Sequence, residues 1–147
     1  DNALPLEGAV FVTVNDGDKP SVTPIARRFH EMGFVLYATE GTARYLRGLG
    51  VPTRTVQKVH EGRPNGVDLM LNGEVRLLIN TPLGKFAQHD DYRLRQTAIA
   101  HGISYTTTLS AAAAAGDAIQ ALRSRKPTVR SLQEWHAMLR DELGAAG

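Results

Sequence analysis

The sequence predicts one α/β domain, a three-layer α/β/α sandwich of Rossmann type around a central parallel sheet of about five strands. Three observations carry that expectation. Short apolar runs rich in β-branched residues alternate with segments whose apolar residues recur every three to four positions. Most of the helical segments end at a glycine. The length of 147 residues suits one domain, and folding at that size removes roughly 68–70% of the unfolded chain's accessible surface. Strands and helices alternating at this spacing imply parallel strands joined by right-handed crossovers.

Ala9 to Val14 (A-V-F-V-T-V) reads as a buried strand, bounded by Gly8 and by Asn15-Asp16-Gly17. Val22, Ile25, Ala26, Phe29 and Met32 then define one apolar helical face, closed by Gly33. Pro20 suits a first turn, whereas Pro24 removes a helical hydrogen bond and crowds the preceding turn, which predicts a late start or a kink. Phe34 to Ala38 is the second strand, Thr42 to Leu49 a short helix with Gly50 as its stop, and Thr53 to Val56 a brief third strand. His60 to Gly66 carries turn formers and reads as a loop, Val67 to Leu71 as a short helix ended by Asn72-Gly73. Val75 to Ile79 is the clearest interior strand. Tyr92 to His101 is helical with Gly102 as its stop, Ile103 to Thr106 is the last strand, and Leu109 to Arg123 is an Ala-rich helix. Lys126-Pro127 breaks that helix. Ser131 and Glu134 form a capping-box signature ahead of a stripe made by Leu132, Trp135, Leu139 and Leu143, and Gly144 to Gly147 reads as a frayed tail.

Hydrophobic residues at 42% and charged residues at 22% are ordinary for a globular chain. A net charge of +2 gives no stripe for nucleic acid. With no cysteine, a disulfide framework, a thiolate zinc site and a cysteine nucleophile all drop out. No apolar run approaches the ~18 residues of a membrane span, so neither nucleic acid nor membrane is expected as a partner. The chain begins at Asp1 and reads as a piece of a longer polypeptide: residues 1–7 a linker remnant, 8–124 the core, 125–147 a C-terminal helix and tail.

Parallel α/β sheets bind ligands beyond the carboxyl ends of their strands, near the switch in strand order. The residues following the strands are N-D-G-D-K ending at Lys19, T-E-G-T from Thr39 to Thr42, Lys58, Asn80-Thr81-Pro82-Leu83-Gly84, and Thr106-Thr107-Thr108. Hydroxyls, an amide and two ammonium groups on one rim suit a phosphate monoester. Gly41 admits close backbone approach, Thr39 and Thr42 offer hydroxyls, and the helix start offers free N–H groups and a favourable dipole. Lys19 and Lys58 supply charge, and the Asn80 carboxamide matches a sugar hydroxyl. The plainer alternative is that Thr39 and Thr42 only cap a helix and the lysines are solvated. His60-Glu61 and His89-Asp90-Asp91 place no two histidines four apart on a helix, so no metal signature is present. Asp68 stands beside the glycine loop at a helix entrance, a position that equally suits a first-turn carboxylate facing the dipole. Ser110 has no partner pattern for nucleophilic catalysis.

Five segments, V-N-D-G-D-K (14–19), A-T-E-G-T-A (38–43), V-H-E-G-R-P (59–64), N-G-E-V-R-L-L-I-N-T-P-L-G (72–84) and Y-T-T-T-L (105–109), resemble in order and spacing the methylglyoxal-synthase-like (MGS-like) domain family. Within it the chain most resembles the C-terminal allosteric domain of carbamoyl-phosphate synthase large subunits, from about Gly8 to Arg140. T-x-G-T is shared by the whole family, whereas V-H-E-G-R-P followed by I-N-T-P is specific to the synthase. A methylglyoxal synthase, a phosphosugar lyase, would have an Asp-Pro-Leu segment after the fourth strand. Here that position is Thr81, so proton abstraction there lacks its base. The G-R-V-K-T segment of inosinate cyclohydrolase domains is also absent.

The resemblance implies a non-catalytic regulatory domain that binds a nucleoside monophosphate, UMP or IMP. Lys19, Thr39, Gly41, Thr42 and Lys58 would hold its phosphate, and Thr13, Asn80 and Thr81 would lie at the ribose or base. Thr107 matches a residue near an ornithine site facing the neighbouring catalytic domain. Pro82 replaces a hydroxyl residue of the relatives. No cofactor is implied for this domain. ATP with Mg or Mn, the catalytic domains, a glutaminase small subunit, an oligomeric assembly and a cytoplasmic location are implied for the parent ligase, which serves arginine and pyrimidine synthesis. An oligomerisation module built on the Trp135 helix is the remaining alternative.

Overall fold

The computed structural model describes residues 4–82, 84 and 87–124. The chain alternates strand and helix throughout: β1 (Ala9–Thr13), a 3-10 turn (Asp16–Asp18), α1 (Lys19–Glu31), β2 (Val35–Thr39), α2 (Glu40–Gly48), β3 (Arg54–Val56), α3 (Gly66–Leu71), β4 (Val75–Asn80), α4 (Gln88–Ala100), β5 (Ser104–Thr106) and α5 (Leu109–Ser124). The five strands form one sheet in the order β3-β2-β1-β4-β5, and every neighbouring pair is parallel. This is the three-layer sandwich anticipated from the alternation. The expected Lys126-Pro127 break and the Trp135 helix lie outside the described residues.

Two apolar cores explain the layers. Val10, Val12, Leu36, Ala38, Leu77 and Ile79 point to one face and meet Ala26 and Phe29 of α1, Leu46 of α2 and Ile119 of α5. Phe11, Tyr37, Val75 and Leu78 point to the other and meet Leu69 and Met70 of α3 and Leu94 and Ala98 of α4. Successive strand residues alternate between the two, except where β4 slips register against β1 at Arg76 and Val75 joins the Leu78 face. β1, and β4 except at the exposed Arg76, are buried on both faces, which is why they read as largely apolar runs. No described helix is long and apolar enough to cross a membrane.

The glycines at 33, 50, 73 and 102 all take positive φ (+95°, +82°, +84° and +65°), so each ends its helix in a conformation a side chain would strain. Of the two outcomes expected at Pro24, a late start or a kink, the first does not occur. Helix α1 begins at Lys19 and runs through Pro24 to Glu31 without a break. The carbonyl that Pro24 leaves without a donor belongs to Pro20, and both prolines are exposed, so water can satisfy it. Helix α4 starts at Gln88, four residues before Tyr92. Its first turn buries Asp90 and Asp91, which an apolar periodicity does not register.

Candidate functional site

The chain lays down β1, β2 and β3 toward one edge, then returns to place β4 and β5 on the other side of β1. The switch therefore lies between the carboxyl ends of β1 and β4, where a ligand crevice is expected. Those ends are stitched together. The Thr81 N–H donates to the Thr13 carbonyl (3.1 Å). The Asn15 N–H donates to Thr81 Oγ1 (3.1 Å), and Asn15 Nδ2 donates to the Pro82 carbonyl (3.0 Å) and to Asp18 Oδ2 (2.8 Å). Asn15 Oδ1 accepts from the Asp18 N–H (3.0 Å), capping the 3-10 turn. Asn15 is thus the post between β4 and the start of α1.

Lys19, the first residue of α1, turns its ammonium toward α2. A Cβ added at Gly41 would lie 3.1 Å from Lys19 Nζ, so the absent side chain is what lets the ammonium rest there. Gly41 is the second residue of α2. Thr39, at the cap position, is extended and makes no side-chain capping bond, so the first N–H groups of the helix are left to another acceptor. Thr42 is buried in that first turn. Lys19 Nζ pairs with Asp16 Oδ1 at 2.7 Å. Chiefly through that hydrogen bond, then through the Lys19 charge, and against a small effect of burial, the Asp16 carboxyl is held below its usual value; the Lys58 charge adds to the lowering. Lys19 follows β1 and Lys58 follows β3, and the strands run parallel, so both belong to the carboxyl rim of the sheet.

The other anticipated residues sort into two groups. Thr13 and Thr81 are buried at the switch, with Thr81 Oγ1 accepting from Asn15 and its own proton left to donate. Asn80 is fully buried on the α4 side. Its Nδ2 donates to Asp91 Oδ1 (3.0 Å) and its Oδ1 accepts from Arg95 Nη1 (3.1 Å), so the carboxamide expected to face a sugar is already held by α4. Thr107 is exposed after β5, separated from the α2 corner by β4 and β1. The Thr106 hydroxyl beside it is buried and has no partner among the described residues.

The carboxylates and histidine weighed as chemical groups take structural duties. Asp68 accepts from Arg63 Nε (2.9 Å) and from the Asn65 N–H (2.9 Å), closing a reciprocal cap on α3. The Arg63 bond, with the Asn65 bond behind it, holds the Asp68 carboxyl below its ordinary value. His60 Nδ1 meets Asp90 Oδ2 at 2.6 Å, tying the loop after β3 to α4. No group of three or more His, Asp or Glu residues placed to hold a metal occurs among the described residues. The sequence patterns did not mark Asp16 or the Asp90, Asp91 and Arg95 set as site residues. In the N-D-G-D-K run the sequence marks only Lys19 as a ligand, and α4 has too little apolar periodicity to show which face it buries.

The fold and this rim define an MGS-like domain: a family model of that description matches residues 21–107, more than half of the chain, and the chain belongs to that family. Among curated proteins it is 63% identical over 140 residues to the carbamoyl phosphate synthase large chain of Gemmatimonas aurantiaca, covering 95% of this chain and 13% of that one. It is 48% identical to the large chain of Methanoregula boonei (92% and 13%). It is 46% identical to the large chain's C-terminal section in Methanopyrus kandleri (90% and 25%). The chain therefore spans only 13–25% of these relatives. Among solved structures, methylglyoxal synthase from Elizabethkingia anophelis superposes with a TM-score of 0.59 at 17% identity, over 75% of this chain and 76% of that one, a likeness of fold.

Proposed function

We propose that this domain is the allosteric part of a carbamoyl phosphate synthase large chain and binds a nucleoside monophosphate, UMP or IMP, at the carboxyl ends of β1, β2 and β4. The observation that carries the reading is the Lys19 ammonium resting over Gly41 at the uncapped start of α2. A phosphate there accepts from the first N–H groups of α2 and from the Thr39 and Thr42 hydroxyls, while Lys19 and Lys58 balance its charge. The nucleoside extends across the switch toward Thr13, Asn80 and Thr81, with Thr81 offering its proton. Thr107, at the far end of the rim, is the contact toward ornithine and the neighbouring catalytic domain.

The domain makes no bond itself. Thr81 offers a hydroxyl engaged with Asn15, and the Asp68 carboxylate is committed to Asn65 and Arg63. A hydroxyl at one position and a carboxylate already bonded to Arg63 and Asn65 at the other support the non-catalytic reading. ATP with its Mg or Mn, glutamine hydrolysis in a small subunit, the bicarbonate chemistry, oligomer contacts and a cytoplasmic setting belong to the parent enzyme. The effector acts on that parent only through its difference in affinity between two states, a coupling of typically ~1–3 kcal/mol.

The test is a thermal melt of this chain with UMP and with IMP. A nucleotide-dependent rise that Lys19→Ala or Thr42→Ala removes is the expected outcome. No rise at millimolar concentrations of either nucleotide overturns the pocket, and methylglyoxal formed from dihydroxyacetone phosphate overturns the non-catalytic role.

A further inference from the structure

Two acidic side chains stand in the N-D-G-D-K turn, and they have different partners. Asp18 is consumed in building the turn, since its Oδ2 accepts from Asn15 Nδ2. Asp16 reaches forward to the Lys19 ammonium at 2.7 Å, on a side chain 94% exposed, while the Lys19 side chain is only 18% exposed. The backbone carrying Asp16 is fixed, because Asn15 is bonded to Thr81 and Pro82 across the switch. The carboxylate can therefore swing into solvent without disturbing the turn.

We propose that Asp16 is the domain's built-in competitor for the phosphate: its carboxylate occupies the Lys19 ammonium until a phosphate monoester displaces it, and so sets which anions are charged enough to bind. This rests on the phosphate reading of the α2 corner. An incoming phosphate needs the cation that Asp16 now holds. If the carboxylate stayed, two anions would share one ammonium within a few ångströms, which is repulsive. The exposure of Asp16 makes the pair weak, as surface ion pairs are, which suits an occupant that leaves readily. An orienting role for Asp16 has less support, because the ammonium already rests in the space left by Gly41.

Calorimetric titration of the 147-residue chain and its Asp16→Asn variant with inorganic phosphate, UMP and uridine tests this. Removing the carboxylate charge is expected to tighten phosphate and UMP by a similar factor, roughly two- to fivefold, and to leave uridine unchanged. Asp16→Glu, which keeps the charge, should stay near the unaltered chain. Equal or weaker phosphate binding by Asp16→Asn overturns the competitor role while leaving the site intact. An equal gain for uridine also overturns it, since the effect is then not one of charge. If neither protein binds phosphate or UMP here, nor IMP in the thermal melts, the site reading itself fails and the competitor falls with it.

Discussion

A single missing methyl group decides the character of the α2 corner. The Gly41 Cβ position lies 3.1 Å from Lys19 Nζ, closer than an ammonium and a methyl group comfortably sit. Because the obstructing atom is the tip of a flexible side chain, Gly41→Ala should fold almost as well as the unaltered chain while displacing the ammonium by a few tenths of an ångström and filling the space through which a phosphate reaches the helix start. The expected outcome is loss of nucleotide affinity by at least tenfold in calorimetry, with little change in melting temperature. Asp68 gives a prediction of the opposite kind, on stability alone. Its folded carboxyl is held below 3.8, chiefly by the Arg63 hydrogen bond. The stabilisation it gives is therefore complete above about pH 4 and disappears as the pH falls through the lower, folded value. Melts of Asp68→Asn should lie below those of the parent at pH 7 and converge on them as the pH falls below the folded carboxyl's lowered value.

At the scale of elements, α3 shows how a six-residue helix survives. It is too short to be stable by propensity, so it relies on the Asn65–Asp68 cap and on very close packing. A Cβ at Gly66 would come within 2.5 Å of Phe11 Cε2 and 2.9 Å of Leu94 Cδ2, both in a filled core. The glycine is what lets α3 lie against the sheet. Gly66→Ala should cost about 1–3 kcal/mol, seen as a lowered denaturation midpoint with the slope unchanged. The sequence marked this helix through its apolar residues and placed the glycine in the preceding loop, because close approach leaves no local signature. Helix α4 shows the same limit. Its buried face includes Asp90 and Asp91, which make sense only once Asn80 and His60 come to meet them.

For the molecule as a whole, binding and folding are linked. A nucleotide that binds only the folded chain stabilises it by about 2.7 kcal/mol at a hundred times its dissociation constant. For a domain of this length that is roughly a 5–11 °C rise in melting temperature. Lys19→Ala, at a residue outside both apolar cores, should leave the unliganded melt nearly unchanged and remove that rise. The sheet order makes the rim continuous: the α2 corner, the β1–β4 switch and the end of β5 lie along one edge. An effector seated at one end and a neighbouring domain facing Thr107 at the other would therefore share a rigid platform of paired strands.

The sequence by itself determined the alternation of strand and helix, the glycine stops and the polar character of every strand end. These depend on residues close in the chain, where side-chain period and backbone preference act directly. The T-E-G-T and N-D-G-D-K segments were legible as candidate phosphate ligands for the same reason. Only the tertiary structure decided which of those groups meet. It placed Lys19 beside Gly41, paired Asp16 with Lys19, and turned the Asn80 carboxamide into the α4 network. Those outcomes follow from strand order and from packing between segments tens of residues apart, and no local pattern encodes a distance of that kind.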